Sequence, residues 1–237
     1  MRIEILFPEV ANLYGDPMNI DYLCRCVGSA EVIRTSLHSE PAVVNSKGDL
    51  IYMGSVTEEG QRLAVQALMP YRDKLVDLIE EGQLFLITGN ALEIFGKHIS
   101  RDNGEELDCL GLFPTEAKHT MMRRYNALYV GKFENNMDIV GFKSQFGHSY
   151  GEAEPLFTTF RGAGLNPDTP GEGLRRGNFL ATYLTGPLLV LNPPFTKHLL
   201  RLMGVQEPEL VFEDAAMELY RDRVREFSDP ATGVEYH

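Results

Sequence analysis

Two short stretches carry the residues on which chemistry would turn. In "LITGNALEIFGK", residues 86–97, an apolar run meets Thr88-Gly89-Asn90 and passes at once into an apolar helical start that contains Glu93. A strand ending in so sharp a turn exposes its corner residue at the carboxyl edge of a parallel sheet, where open α/β folds bind ligands and hold nucleophiles. The corner here falls on Gly89, which has no side chain, with Thr88 the neighbouring alcohol. In "ATYLTGPLL", residues 181–189, the residue before Gly186-Pro187 is Thr185, an alcohol far too weakly basic to act as a general base near neutral pH. A third stretch, "GFKSQFGHSYG" (141–151), supplies Lys143, Gln145 and His148, and the turn "GSVTEEGQ" (54–61) supplies Ser55.

The remaining chemistry-bearing residues are scattered. The three cysteines, Cys24, Cys26 and Cys109, are odd in number and include a C-x-C, so they read as reduced thiols rather than a disulfide framework or zinc knuckle. The six histidines show no H-x-H or H-E-x-x-H spacing, and no metal is expected. No P-loop or G-x-G-x-x-G follows a strand, so no cofactor is expected either. Each candidate also has an ordinary structural reading. Glu93 can face solvent or the positive end of its helix, Asn90 can simply start that helix, and His148 on a Gly-flanked loop reads as a surface residue.

The elements that must position these residues follow from periodicity. Short Val-, Ile- and Leu-rich runs alternate with amphipathic stretches through the first hundred residues, the mark of β-α-β units around a buried parallel sheet. Strands are predicted at 3–8, 30–37, 49–54 and 84–87. A helix follows the Gly15-Asp16-Pro17 turn, and residues 57–81 form two helices or one bent at Pro70. Farther on, 126–133 and 137–151 read as paired β segments around an Asn135-Asn136 turn. Residues 157–178 read as loop, and "FLATYLTGPLL" as one more strand. A helix over 193–204 stops at Gly204, and 212–227 forms a charged helical tail.

At 237 residues and 43% hydrophobic, the chain can bury one substantial core, and a single domain is expected. The net charge of −12 and the lack of a basic cluster argue against nucleic acid as a partner. The N-terminal run "MRIEILFPEV" is too short and too interrupted for a signal or membrane span, so a cytoplasmic location is expected.

Four stretches in order, "NLYGDPMNIDYL" (12–23), "DLIYMGSVTEEGQ" (49–61), "LITGNALEIFGK" (86–97) and "GNFLATYLTGPLL" (177–189), resemble class I glutamine amidotransferases of the cobyric-acid-synthase-like (CobB/CobQ-like) branch, nearest the glutaminase subunits of lipid II isoglutaminyl synthases. The resemblance implies a three-layer, flavodoxin-like α/β fold with a mostly parallel central sheet and an antiparallel extension. It also implies one amidotransferase-like domain over 1–237, with a core to about 204 and a helical tail over 205–237. A family member needs a cysteine thiolate to attack the glutamine amide, a histidine to move the proton and backbone N–H groups to hold the oxyanion. Aligned on Gly96, the nucleophile position falls on Gly89; aligned on Gly186-Pro187, the general-base position falls on Thr185. Both groups are missing, and Lys143 and Gln145 stand where the family tends to carry an acidic residue and a histidine. The resemblance therefore implies a pseudo-glutaminase with a vestigial cleft (Ser55, Thr88, Asn90, Glu93, Lys143, Gln145, His148). Its implied partner is a Mur-ligase-type synthetase of cell-wall precursor amidation, with glutamine or a related small molecule in the cleft. The alternative is an active enzyme with an unrecognised nucleophile, such as Thr88, that supplies ammonia to a synthetase.

Overall fold

The computed structural model describes residues 1–235. Its central sheet is built from the predicted apolar runs: β1 (Arg2–Leu6), β2 (Glu31–Thr35), β3 (Leu50–Met53) and β4 (Phe85–Thr88). These four are parallel, in the order β4-β3-β1-β2. Every residue of β3 and β4 is buried, as expected of strands covered on both faces. Alternation along the strand divides them between two layers. Ile51, Met53, Phe85 and Ile87 pack against α2 (Glu58–Leu68) and α3 (Arg72–Glu80). Leu50, Tyr52, Leu84 and Leu86 pack on the other face with α1 (Pro17–Val27). The two helices foreseen around Pro70 are separate, joined by a tight turn at Met69–Tyr71. Thr57 caps α2 by accepting from the Gly60 N–H at 3.0 Å.

The middle of the chain holds more strand than its sequence announces. β5 (His98–Arg101), β6 (Glu106–Asp108) and β7 (Thr115–His119) lie in a region where no periodicity marked them. β8 (Tyr125–Phe133) and β9 (Met137–Gln145) form the expected hairpin, with Asn135 and Asn136 at φ 54° and 66°. The predicted 137–151 strand breaks at Phe146, and β10 (Gly147–Gly151) leaves to pair with β7 in a second sheet of order β10-β7-β5-β6. The stretch expected as loop contains β11 (Phe157–Arg161), β12 (Gly171–Glu172) and β13 (Leu174–Arg176). β12 and β11 extend the hairpin into a third sheet of order β12-β11-β8-β9. These short polar strands are made by cross-strand partners far along the chain, which local composition does not register.

β13 and β14 (Phe179–Thr182) complete the central sheet, β14 parallel to β4 and β13 antiparallel at the edge. The strand expected to run through 189 stops at Thr182, and Leu188–Leu191 already form α4. α5 (Pro193–Leu202) and α6 (Glu213–Ser228) follow as foreseen. Among the described residues no helix is long and apolar enough to cross a membrane. Phe179 packs its ring on Phe85, Phe95 and Phe113 at centroid distances of 4.9–5.4 Å. Phe179→Ala should therefore cost about 3–5 kcal/mol in urea unfolding, the usual range for a buried phenylalanine.

Candidate functional site

The corner after β4 is closed from all sides. Gly89 takes φ +63°, and its N–H donates to the Leu184 carbonyl at 3.3 Å. Residues 89–95 coil into a 3-10 helix rather than the expected α-helix. Beneath the corner lies the Asp16 carboxylate, fully buried. Its Oδ2 accepts from the Ser55 N–H at 2.6 Å, the Ser55 hydroxyl at 2.6 Å and the Thr88 hydroxyl at 3.0 Å. Burial pushes the Asp16 carboxyl above the usual carboxylate range, against the opposing pull of these donors. The Tyr52 hydroxyl continues the cluster, donating to the Asp16 carbonyl at 3.0 Å and lying 3.1 Å from both Thr88 Oγ1 and Asn19 Nδ2. Three turns at the carboxyl edge of the sheet, after β1, β3 and β4, thus meet on one side chain.

That arrangement leaves no space for a side chain at the corner. A Cβ on Gly89 would fall 1.9 Å from Ser55 Oγ and 2.7 Å from Ser55 Cβ. A Cβ on Gly186 would fall 2.3 Å from Asp16 Oδ1. Thr185 lies one residue beyond Leu184, whose carbonyl holds the corner, and its hydroxyl and N–H both donate to the Phe142 carbonyl, at 3.2 and 2.9 Å. None of the thiols compensates. Cys24 and Cys26 sit on α1, Cys109 follows β6, and burial raises all three, Cys109 to about 12. None is a ready thiolate near neutral pH.

Glu93 does not face solvent. It is buried, its Oε2 lying 2.7 Å from His119 Nε2 and accepting from Gln61 Nε2 at 2.6 Å, while Oε1 accepts from the Tyr183 hydroxyl at 2.7 Å. Tyr183 also bonds Ser149 at 2.7 Å. Lys143 is likewise internal: its ammonium lies 3.3 Å from Glu172, donates to the Gly164 carbonyl at 2.7 Å and sits over the Tyr129 and Tyr183 rings. Burial pulls the Lys143 amine below its ordinary value despite Glu172. Both residues tie sheets together rather than face a ligand.

Asn90, Gln145 and His148 are the predicted residues that reach open space. Asn90 Oδ1 accepts from the Val56 N–H at 3.0 Å, so its side chain pins the Ser55 turn as well as lining a cavity of about 90 Å³. Gln145 borders the same cavity; its Nε2 donates to the Gly147 carbonyl at 2.6 Å, and its buried Oε1 has no partner among the described residues. Arg124 and Phe146 form a common wall with a larger cavity of about 560 Å³, where His148 stands beside Arg123, Tyr125 and Glu235. His148 is half-buried rather than on the surface, and burial lowers its pKa.

A CobB/CobQ-like glutamine amidotransferase domain matches residues 2–192. The chain belongs to that family. Among CobB/CobQ-like relatives, it is 29% identical to the GatD subunit of lipid II isoglutaminyl synthase (glutamine-hydrolyzing) from Staphylococcus aureus, over 84% of this chain and 83% of that one. It is 22% identical to the Streptococcus pneumoniae GatD subunit, over 81% of this chain and 76% of that one. The fold is also that of PurLQS from Thermotoga maritima (TM-score 0.58, 12% identity, 85% of this chain and 96% of that one). A second glutamine amidotransferase crystal structure gives TM-score 0.52 at 15% identity, over 85% of this chain and 99% of that one. Within this class I amidotransferase fold, sequence reasoning located Ser55, Thr88 and Gly89 but missed Asp16, His119, Tyr183 and Glu172. Asp16 had read as a turn residue of "YGDP", and nothing in a linear pattern shows that three donors converge on it.

Gly89→Cys should be destabilised by about 2–5 kcal/mol in urea unfolding, combining positive-φ strain with overpacking against Ser55. Adding Ser55→Gly should recover the overpacking part. The His119–Glu93 contact sets a pH signature. Burial disfavours the imidazolium but Glu93 overcomes it, so the His119 pKa is raised in the fold. The contribution is then fully present below the unfolded value of about 6.5 and fades as pH rises through the folded value. The stability gap between the native chain and His119→Gln should therefore be widest near pH 6 and shrink toward pH 9.

Proposed function

We propose that this chain is the amidotransferase-like subunit of an assembly that amidates a cell-wall precursor, that it no longer hydrolyses glutamine, and that it docks a Mur-ligase-type synthetase. It would act as one amidotransferase-like domain, with its core to about residue 204; the tail expected to be helical over 205–237 is helical at Glu213–Ser228 among the described residues. The kinship with GatD subunits supports the pathway. The observation that carries the loss of hydrolysis is the filled corner: Ser55 Oγ stands 1.9 Å from where a side chain on Gly89 would begin. A thiol nucleophile and its attacking trajectory both need that space. With Thr185 in place of a proton carrier, the cleft beside Asn90 and Gln145 retains the capacity to hold glutamine or a related small molecule without cleaving it.

One observation favours a second reading. Ser55 Oγ lies 2.6 Å from the Asp16 carboxylate and 1.9 Å from the residue-89 side-chain position. On this reading Ser55 attacks the glutamine carbonyl to form an ester, Asp16 takes the hydroxyl proton and passes it to the amine, which leaves as ammonia, and water then cleaves the ester to release glutamate and restore the serine. Ser55 is fully buried, which speaks against this reading.

Ammonia release from glutamine by the purified chain, alone and with a Mur-ligase-type protein, separates the two. Background-level release, unchanged in Ser55→Ala, is the expected result. Release above background that falls at least a hundredfold in Ser55→Ala would replace the first reading with the second. As a companion, the triple variant Ser55→Gly/Gly89→Cys/Thr185→His should gain covalent labelling by a glutamine-directed electrophile that the native chain resists.

A further inference from the structure

β8 has two halves with different neighbours. β11 pairs with Lys132, Gly131 and Val130, shifts register between Thr159 and Arg161, and then leaves the sheet. The edge it vacates is taken by the chain's own segment after α6. The Leu128 N–H donates to the Val234 carbonyl at 2.7 Å, and Ala127 bridges antiparallel to Glu235.

How that segment is held divides it in two. The Arg161 guanidinium donates to the carbonyls of Phe227, Asp229 (2.6 Å) and Thr232 (2.8 Å), which fastens the chain firmly as far as Thr232. Exposed Gly233 comes next, then half-buried Val234 and exposed Glu235. Among the described residues this last stretch is held to β8 by the Leu128–Val234 bond and the Ala127–Glu235 bridge, so its opening costs little compared with the anchored part.

Glu235 lines the cavity of about 560 Å³ together with Arg123 and Arg124. Arg124 lies over the Phe146 ring at 4.4 Å and donates to the Tyr14 hydroxyl at 3.3 Å, and it forms no ion pair among the described residues. In a chain of net charge −12 this is a local cationic spot. At physiological salt the screening length is about 8 Å, so the spot is felt at contact range despite the acidic remainder.

We propose that the vacated β8 edge and the arginine-lined cavity beside it form a docking site for an extended acidic peptide segment of a partner, with Val234–Glu235 as its built-in placeholder. The placeholder displays both requirements of such a ligand. A backbone carbonyl pairs with Leu128 in the manner of strand addition, and an acidic residue lines the cavity beside Arg123 and Arg124. An incoming strand with the same alternation would exchange one set of backbone bonds for an equal set, and two or more carboxylates would outcompete the single one of Glu235. The site is independent of whether the amidotransferase corner hydrolyses glutamine.

The test is fluorescence anisotropy with a labelled six-residue peptide of alternating valine and glutamate, using the full chain. The native chain should bind it, Glu235→Gln should bind it several-fold more tightly, and Arg123→Gln/Arg124→Gln at least tenfold more weakly. Affinity should fall with added salt, and the valine–lysine counterpart should not bind. The proposal is overturned if the acidic peptide does not bind the native chain, if Glu235→Gln leaves its affinity unchanged, or if the lysine peptide binds equally well.

Discussion

One buried carboxylate organises the carboxyl edge of the sheet. Asp16 reaches the protein interior at a cost of several kcal/mol for an ion without partners, and three donors to a single oxygen offset part of it. Those donors come from the turn after β3 and the end of β4, so ionic solvation and turn geometry are the same problem here. Once Ser55 is drawn onto Asp16, its hydroxyl fills the space above Gly89, and the glycine becomes the residue the corner can accommodate without rearrangement. The missing side chain at position 89 and the serine at position 55 are thus one packing solution.

A second polar cluster does for the three sheets what Asp16 does for the turns. Glu93 gathers His119 from β7, Gln61 from α2 and Tyr183 from beyond β14. Lys143 of β9 and Glu172 of β12 meet a few residues away, with Glu172 also accepting from the Thr182 hydroxyl and the Tyr183 N–H. Desolvated ion pairs are weak sources of net stability, but a half-satisfied one is strongly destabilising. The clusters therefore act mainly as specifications. They fix how the antiparallel sheets seat on the parallel one.

The parallel half of the fold was legible because its signals are local. "LIYM" and "FLIT" are wholly apolar and short, as strands covered on both faces must be, and the Pro70 break, the Asn135-Asn136 hairpin and the Gly204 stop each depend on the conformational limits of one or two residues. The strands at 98–119 and 157–176 were not legible for the opposite reason. Segments such as "TEAKH" and "LRR" become strands only when β10 or β14 is beside them, and that pairing is a property of the folded chain.

The candidate site divides along the same line. Taken alone, the sequence determined which groups are absent: residue identity suffices to say that Gly89 supplies no nucleophile and Thr185 no imidazole. It also determined the family, through ordered motifs spread along the chain. Only the tertiary structure decided what stands in the vacated space and which charges are internal. Glu93, Lys143 and His148 had surface or cleft readings open to them until packing buried the first two and half-buried the third. Asp16 had no reading beyond a turn. The physical reason is that hydrogen-bond donors 39 and 72 positions away from Asp16 in the chain meet at one of its oxygens, and such convergence leaves no periodic trace in a linear sequence.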